Sequence, residues 1–169
     1  MSEIADAVER ARAYLAEHPD EARYRDSHAR AVLGDGLRVE VTGPGGETTR
    51  TDMPAGIGGS ASAPSPGWYL RAAAASCVAA LIGIRAATLG IELPPGSVAV
   101  TVDSESDDRG ILGIDDAVPG GALSMKVAVA FAAGTADVAA LESLARWALD
   151  HCPVTDTVSR SVPIELEVR

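Results

Sequence analysis

The two cysteines are the residues of this chain that could do the most chemistry. Cys77 lies in the alanine-rich run AAAASCVAALIG, and Cys152 lies 75 positions later in DHCPV. A thiol attacks an electrophile as its thiolate, which needs a nearby positive group or hydrogen-bond donors. The alternative is that both are inert core residues, since free cysteine is among the most buried residue types. Their separation excludes a CxxC motif and a zinc-binding cysteine framework.

A long helix is predicted to position Cys77. Apolar residues recur in it at spacings of three and four, namely Leu70, Ala73, Ala74, Cys77, Ala80, Leu81 and Ile84. Because Val78 and Ile82 make other faces apolar too, we expect this helix to be buried, with Cys77 inside the protein or at the bottom of a cleft. The ends of this helix are predicted from three residues: Ser65 as the N-cap, Pro66 at the first helical position, and Gly90 after the last one.

A positive group for Cys77 would have to come from another segment. Cys77 lies about three turns from the helix start, whereas the influence of the helix dipole fades within the first turn. Arg71 and Arg85 lie about 120° and 80° round the same helix from it. The sequence does not choose among the candidates in the amino-terminal strands, which are His28, Arg30, Arg38 and Arg50.

A second helix is predicted to position Cys152. Thr135 is its expected N-cap, the helix runs over residues 136–150, and its apolar stripe is Val138, Leu141, Ala145 and Ala148. Cys152 falls at the next step of four and should face the core. It would then lie at the carboxyl end of the helix, where the dipole disfavours a thiolate. This pattern suits Cys152 as the resolving sulfur and Cys77 as the attacking one.

The remaining pattern predicts one α+β domain. A helix at residues 3–18 precedes three strand-like runs at 28–33, 37–42 and 47–52, which are separated by the turns GDG and GPGG. A Gly/Pro/Ser loop at 53–67 leads into the long helix. Further strands are predicted at 98–104, 123–132 and 162–168, and Pro153 should halt the second helix. Blocks of strands and helices, rather than strict alternation, favour α+β.

Composition restricts the partners. The net charge is −10, so binding to nucleic acid or to an anionic membrane surface is disfavoured. The apolar stretch Ala72–Ile84 is 13 residues long, against about 20 for a membrane span. The first residues do not read as a secretory signal, and we expect a cytoplasmic protein.

No cofactor or metal is expected. Adjacent residues such as His151 and Cys152 do not converge on an ion, and the acidic segment Asp103–Asp116 lacks the ligand spacing of an EF-hand. The chain also contains no GxSxG hydrolase motif.

The order of motifs resembles the OsmC/Ohr family of osmotically inducible and organic hydroperoxide resistance proteins. These motifs are the loop GGSASAPSPG, a long alanine-rich helix bearing one cysteine, a strand pair, and a second helix ending in HCPV. The resemblance covers about residues 28–169. It implies an OsmC-like fold, with antiparallel sheets around a long central helix in an intertwined homodimer. We divide the chain into an amino-terminal helical extension at 1–20 and a single OsmC-like domain at 21–169.

The resemblance also implies a chemistry, the thiol-dependent reduction of organic hydroperoxides. Cys77 matches the peroxidatic cysteine that becomes a sulfenic acid, and Cys152 matches the resolving cysteine that condenses with it to a disulfide. A thiol, dithiol or lipoyl protein would then reduce the disulfide. The family's peroxidases usually carry a glutamate nine or ten residues before the attacking cysteine, where this chain has Trp68 and Gly67. Pro66 and Trp68 are expected in the pocket.

Two other interpretations stay open. One is a non-catalytic homodimer of the same fold that senses redox state or binds a small apolar ligand. The other is a purely structural protein with two buried thiols.

Overall fold

The computed structural model describes residues 3–134 and 136–168. The predicted cap Thr135 lies outside the described residues. The described chain divides into an amino-terminal unit, Ala11–Leu70, and a carboxyl-terminal unit that comprises residues 3–10 and 71–168. The division into an extension at 1–20 and a domain at 21–169 stays a prediction.

A three-stranded antiparallel sheet forms the main part of the amino-terminal unit. Its strands, in spatial order, are β1 (Arg30–Leu33), β2 (Val39–Thr42) and β3 (Thr48–Thr51). Helix α1 (Glu3–Glu17) and a short 3₁₀ turn (Pro19–Ala22) precede it. The two predicted turns are confirmed. Gly34 N–H donates to the Arg38 carbonyl at 2.8 Å in the first turn, and Gly43 N–H donates to the Glu47 carbonyl at 2.9 Å in the second.

The Gly/Pro/Ser loop after β3 is fixed by the carboxylate of Asp52, which is 2% exposed. Oδ2 accepts hydrogen bonds from the backbone N–H and the hydroxyl of both Ser60 and Ser62, at 2.6–3.2 Å, and Oδ1 accepts from Met53 N–H at 2.8 Å. Between the two serines, Ala61 adopts a φ of +52°. A buried carboxylate with five donors therefore holds the segment that leads into the long helix.

Helix α2 (Pro66–Leu89) has the predicted ends. Ser65 Oγ accepts a hydrogen bond from Trp68 N–H at 3.2 Å, as an N-cap does. At the other end, Gly90 has a φ of +69°. Gly90 N–H donates to the Ala87 carbonyl and Ile91 N–H to the Ala86 carbonyl, which is the Schellman pattern of helix termination. By length and composition alone, this 24-residue helix could cross a bilayer.

In the carboxyl-terminal unit, the antiparallel hairpin of β4 (Val98–Glu105) and β5 (Ser124–Phe131) is paired along its whole length. The connection between the strands contains a short helix, α3 (Asp108–Ile111). Helices α4 (Val138–Asp150) and α5 (Pro153–Ser159) follow. The hairpin packs on α2 and α4 through alternating side chains, namely Val98, Val100, Val127, Val129 and Phe131.

The buried face of α2 differs from the predicted one. The buried residues are Ala74, Val78, Ile82 and Ala86, whereas Ala73 and Ala80 are exposed and Leu70 is 40% exposed. The stripe that contains Cys77 is therefore not the most buried face of α2 in the single chain. Because α2 is apolar on every face, its periodicity could not identify the face that packs in the core.

Three further predictions near the carboxyl terminus need correction. Helix α4 begins at Val138, and its cap is Asp137, which accepts from Ala140 N–H at 3.0 Å. Pro153 follows the end of α4, as predicted, but it is also the first residue of α5. Proline is common at the first position of a helix as well as after the end of one. The segment 162–168 forms no strand, and Ile164 is 94% exposed, because an alternating segment becomes a strand only beside a partner edge.

Candidate functional site

Cys152 lies at the junction of α4 and α5, in the core of the carboxyl-terminal unit. Its side chain is fully buried and belongs to one cluster with Leu144 and Ala148 of α4 and Val78 and Ile82 of α2. The prediction that Cys152 faces the core is confirmed. It is also the N-cap residue of α5, with extended backbone angles of φ −77° and ψ 114°.

Cys77 packs against this cluster from the middle of α2, and its side chain is half-buried. The two thiols lie in the same part of the core, and each one shifts the pKa of the other. Neither cysteine is in a disulfide. The fold therefore joins two thiols that are 75 residues apart, one partly accessible and one enclosed.

The environment of Cys77 favours its protonated form. Burial raises the pKa of this thiol, and the hydrogen bond and the charge interaction with Cys152 raise it further, against a smaller lowering effect from Val154 N–H. The two arginines of α2 make other contacts within this unit, as their helical positions predicted. Arg71 donates to Ser104 Oγ at 3.1 Å, and the Arg85 guanidinium lies 5.1 Å from the centre of the Trp147 ring.

The environment of Cys152 favours its thiolate, contrary to the prediction from the α4 dipole. Burial raises the pKa of Cys152, but donors outweigh it and the net pKa is lowered. These donors are the backbone N–H and hydroxyl of Thr155, the Cys77 thiol and Val154 N–H. The Cys152 side chain makes no capping hydrogen bond to the backbone of α5.

Val154 and Thr155 are the residues of this site that the sequence analysis missed. The usable signal was the proline directly after Cys152. A proline at the first position of a helix makes the preceding residue the N-cap and turns the next N–H groups toward its side chain. Among the described residues, no group of three or more His, Cys, Asp or Glu side chains is placed to hold a metal ion.

The arginines proposed as activators of Cys77 lie together in the amino-terminal unit. Arg30, Arg38 and Arg50 line one open cavity of about 780 Å³ on the three-stranded sheet. Two of them pair with carboxylates that also line the cavity, Arg38 with Asp35 at 3.8 Å and Arg50 with Glu40 at 3.7 Å. Sequence-distant cations are thus gathered in one place, and their action on Cys77 stays a prediction.

The remaining predicted site residues are also in the amino-terminal unit. His28 lines a separate cavity of about 300 Å³ beside the second turn. Pro66 and Trp68 form the first turn of α2, where Trp68 is 48% exposed and contacts Tyr69 edge to face at 5.1 Å. The Tyr69 hydroxyl is hydrogen-bonded to the Thr49 hydroxyl and donates to the Arg50 carbonyl at 3.2 Å, which ties this turn to β3.

Comparison with known proteins gives one family. The sequence model of the OsmC family, described as OsmC-like protein, matches residues 59–167, a segment that includes both cysteines. No curated protein matches the chain.

Solved structures of low sequence identity share the fold. A protein from Mycoplasma pneumoniae described as OsmC-like has a TM-score of 0.66 at 14% identity, over 81% of this chain and 89% of that one. An osmotic stress induced and detoxification response protein from Psychrobacter arcticus has a TM-score of 0.63 at 21% identity, over 80% and 90%. An organic hydroperoxide resistance protein from Legionella pneumophila has a TM-score of 0.57 at 22% identity, also over 80% and 90%.

Proposed function

This chain belongs to the OsmC family, and from that membership we propose that it is a thiol-dependent peroxidase that reduces organic hydroperoxides. The observation that carries the proposal is that Cys77 packs against the apolar cluster that contains Cys152, where each thiol shifts the pKa of the other. The hydroperoxide resistance role named for a structural relative is consistent with it. An apolar surround suits an organic hydroperoxide, since each buried CH₂ contributes about 0.8 kcal/mol.

The proposed reaction has two steps on the protein. The Cys77 thiolate attacks the terminal oxygen of the hydroperoxide, the O–O bond breaks, and the alkoxide takes a proton to leave as the alcohol. Cys77 is then a sulfenic acid, and the Cys152 sulfur displaces its oxygen as hydroxide to form the disulfide. Cys77 is the better attacking residue because it is the accessible thiol of the pair, whereas Cys152 is fully buried.

Activation of Cys77 is the demanding part of this scheme. Burial and Cys152 raise the pKa of Cys77. In addition, Gly67 and Trp68 occupy the positions at which the family's peroxidases usually have a glutamate. A cation has to offset this effect. Arg30, Arg38 and Arg50 are the proposed source, with His28 as a further candidate.

The proposed assembly is a homodimer. Small residues of α2 beside Cys77, including Ala73 and Ala80, are exposed in the single chain. In the carboxyl-terminal segment, Ile164, Leu166 and Val168 are 84–94% exposed. Apolar surface of this kind is normally covered by a partner, and a second copy is the partner that the family resemblance implies. A thiol, dithiol or lipoyl protein is the proposed reductant, and the cytoplasm the proposed compartment.

One observation favours a second candidate function. Because the pKa of Cys77 is raised, the pair could form a disulfide slowly and serve as a homodimeric redox sensor without rapid turnover. In that case, the same thiol pair would report the redox state rather than remove peroxide.

The deciding experiment mixes the reduced protein with cumene hydroperoxide and either dithiothreitol or dihydrolipoamide. We expect turnover in the wild type, no turnover in Cys77→Ser, and a trapped sulfenic acid in Cys152→Ser. Formation of the disulfide without turnover would support the sensor. Retention of both thiols under excess peroxide would contradict both functions.

A further inference from the structure

The α4–α5 junction contains a polar side chain that the proposed reaction has not yet used. Thr155 Oγ1 lies 3.2 Å from the Leu149 carbonyl of the last turn of α4 and 3.2 Å from the carbonyl of Cys152 itself. The single hydroxyl of Thr155 therefore joins the end of one helix to the residue that caps the next. Its side chain is half-buried, and Cys152 beside it is fully buried.

The other bonds of the junction leave Cys152 weakly fixed on its amino side. Cys152 N–H reaches the Leu149 carbonyl at only 3.4 Å, and Pro153 has no N–H to donate. On the carboxyl side, Asp156 N–H donates to the Cys152 carbonyl at 2.9 Å. The Thr155 hydroxyl is thus the side-chain contact that links Leu149, Cys152 and α5.

We infer that Thr155 is the positioning residue for disulfide closure: its hydroxyl fixes Cys152 at the junction and donates to the sulfur as negative charge develops there. A hydroxyl has one proton and can rotate, so it can turn from a carbonyl oxygen to the sulfur without movement of the backbone. The lowered pKa of Cys152, to which both the hydroxyl and the N–H of Thr155 contribute, is consistent with this role.

The step that Thr155 would assist is the attack of Cys152 on the oxidised sulfur of Cys77. As a step of peroxide reduction, it rests on the proposed function. The Cys152 thiolate attacks the Cys77 sulfur of the sulfenic acid and forms the S–S bond while the S–O bond breaks. The oxygen leaves with the bonding pair as hydroxide and takes up a proton from solvent to give water. Donors that face Cys152 keep the attacking sulfur ionised and aimed.

The test measures closure without peroxide, by adding Ellman's reagent to the reduced protein. The accessible Cys77 forms the mixed disulfide and releases one thionitrobenzoate, and attack by Cys152 then releases the second in a step independent of reagent concentration. The absorbance of thionitrobenzoate follows both phases. Cys152→Ser should show the first release only, which identifies the second phase as closure.

In Thr155→Val, we expect the second phase to be roughly tenfold slower, as for loss of one hydrogen bond to a charged group, with the first phase within about twofold of the wild type. The pH midpoint of the second phase should rise, because Cys152 loses a donor to its thiolate. Thr155→Ser should restore the wild-type rate and midpoint. Thr155→Ala removes the same hydroxyl and supplies the measurement if the valine variant does not fold.

Thr157→Val is the matched control, because the Thr157 hydroxyl donates to the Pro153 carbonyl at 2.7 Å within the same helix. It should close at the wild-type rate. Closure in Thr155→Val within about twofold of the wild type, an equal loss in Thr157→Val, or no rescue by serine would overturn the inference. The peroxidase proposal fails separately, if the wild type closes with Ellman's reagent but consumes no cumene hydroperoxide.

Discussion

The two thiols form an asymmetric pair in which accessibility and acidity lie on different residues. Cys77 is the partly accessible sulfur, yet its pKa is raised, first by burial and then by Cys152. Cys152 is enclosed, yet the first turn of α5 lowers its pKa. When one proton is lost, the charge rests on Cys152 and its field opposes ionisation of Cys77. An ionised Cys152 therefore suppresses the reactivity of Cys77.

The first prediction is that Cys152→Ser lowers the pKa of Cys77. The serine hydroxyl stays neutral, so the charge interaction with position 152 disappears while the burial of Cys77 remains. The pKa of Cys77 should fall but stay above the value of an exposed cysteine. The measurement is the rate of iodoacetamide alkylation of Cys77 against pH, followed by mass spectrometry.

Ser76→Ala is the control for that measurement, because the Ser76 hydroxyl donates to the Ala73 carbonyl at 3.1 Å on the same helix. It should leave the alkylation profile unchanged. A pKa of Cys77 that is unchanged or higher in Cys152→Ser would show that the two thiols are not coupled in solution.

At the scale of elements, the parts of the fold with strong local signals were predicted well. The ends of α2 were predicted from Ser65, Pro66 and Gly90. Ser65 makes the expected capping hydrogen bond, Pro66 is the first helical residue, and Gly90 has the expected positive φ. The first two hairpin turns followed from their glycines. These signals depend on local backbone sterics, which a sequence carries directly.

The parts that depend on tertiary partners were not predictable from local signals. The core face of α2 is chosen by what packs on it, and the strand at 162–168 needs an edge that the described chain does not place beside it. Pro153 carries the same signal for a stop and for a start. The approach of Cys77 to Cys152 followed from the family resemblance, because no spacing in the sequence indicates it.

The second prediction concerns the loop after β3, which the carboxylate of Asp52 holds. Hydrogen bonds from Ser60, Ser62 and Met53 lower the pKa of Asp52 well below its usual range. Because the pKa of Asp52 is lower in the folded protein than in the unfolded chain, its ionised form stabilises the fold at any pH above the unfolded pKa of about 3.9. This stabilisation is lost as the pH falls toward the folded pKa. Asp52→Asn should therefore lower the melting temperature at pH 7, and its gap from the wild type should narrow below about pH 4.

Asp35→Asn is the control for the loop, since the side chain of Asp35 is 98% exposed and pairs with Arg38 only at 3.8 Å. The measurement is the melting temperature of the wild type, Asp52→Asn and Asp35→Asn, followed by circular dichroism from acid to neutral pH. An Asp52→Asn variant as stable as Asp35→Asn at pH 7, or a gap that widens in acid, would argue against an ionised Asp52 as the anchor of the loop.

At the scale of the whole molecule, the single chain leaves apolar surface exposed on a protein whose net charge is −10. Such a charge disfavours association in general, so a stable contact between two copies needs a closely packed apolar face. The small residues of α2 beside Cys77 offer one, because they allow two helix backbones to approach. The same contact would cover the exposed side of Cys77 and link the redox site to assembly.

The last prediction is that Ala80→Glu separates the proposed dimer. Ala80 is exposed in the single chain, so a glutamate there costs an isolated protomer little, but in a helix contact it would bury an unpaired carboxylate. We expect the wild type to sediment at twice the chain mass of 17.3 kDa and Ala80→Glu at that mass itself, with dimer affinity reduced at least ~100-fold. Ala139→Glu, at an exposed alanine of α4, should stay dimeric.

A wild type that is monomeric at high concentration would refute the dimer. An intact Ala80→Glu dimer would place the contact on another face, so that Cys77 would work without cover from a second copy.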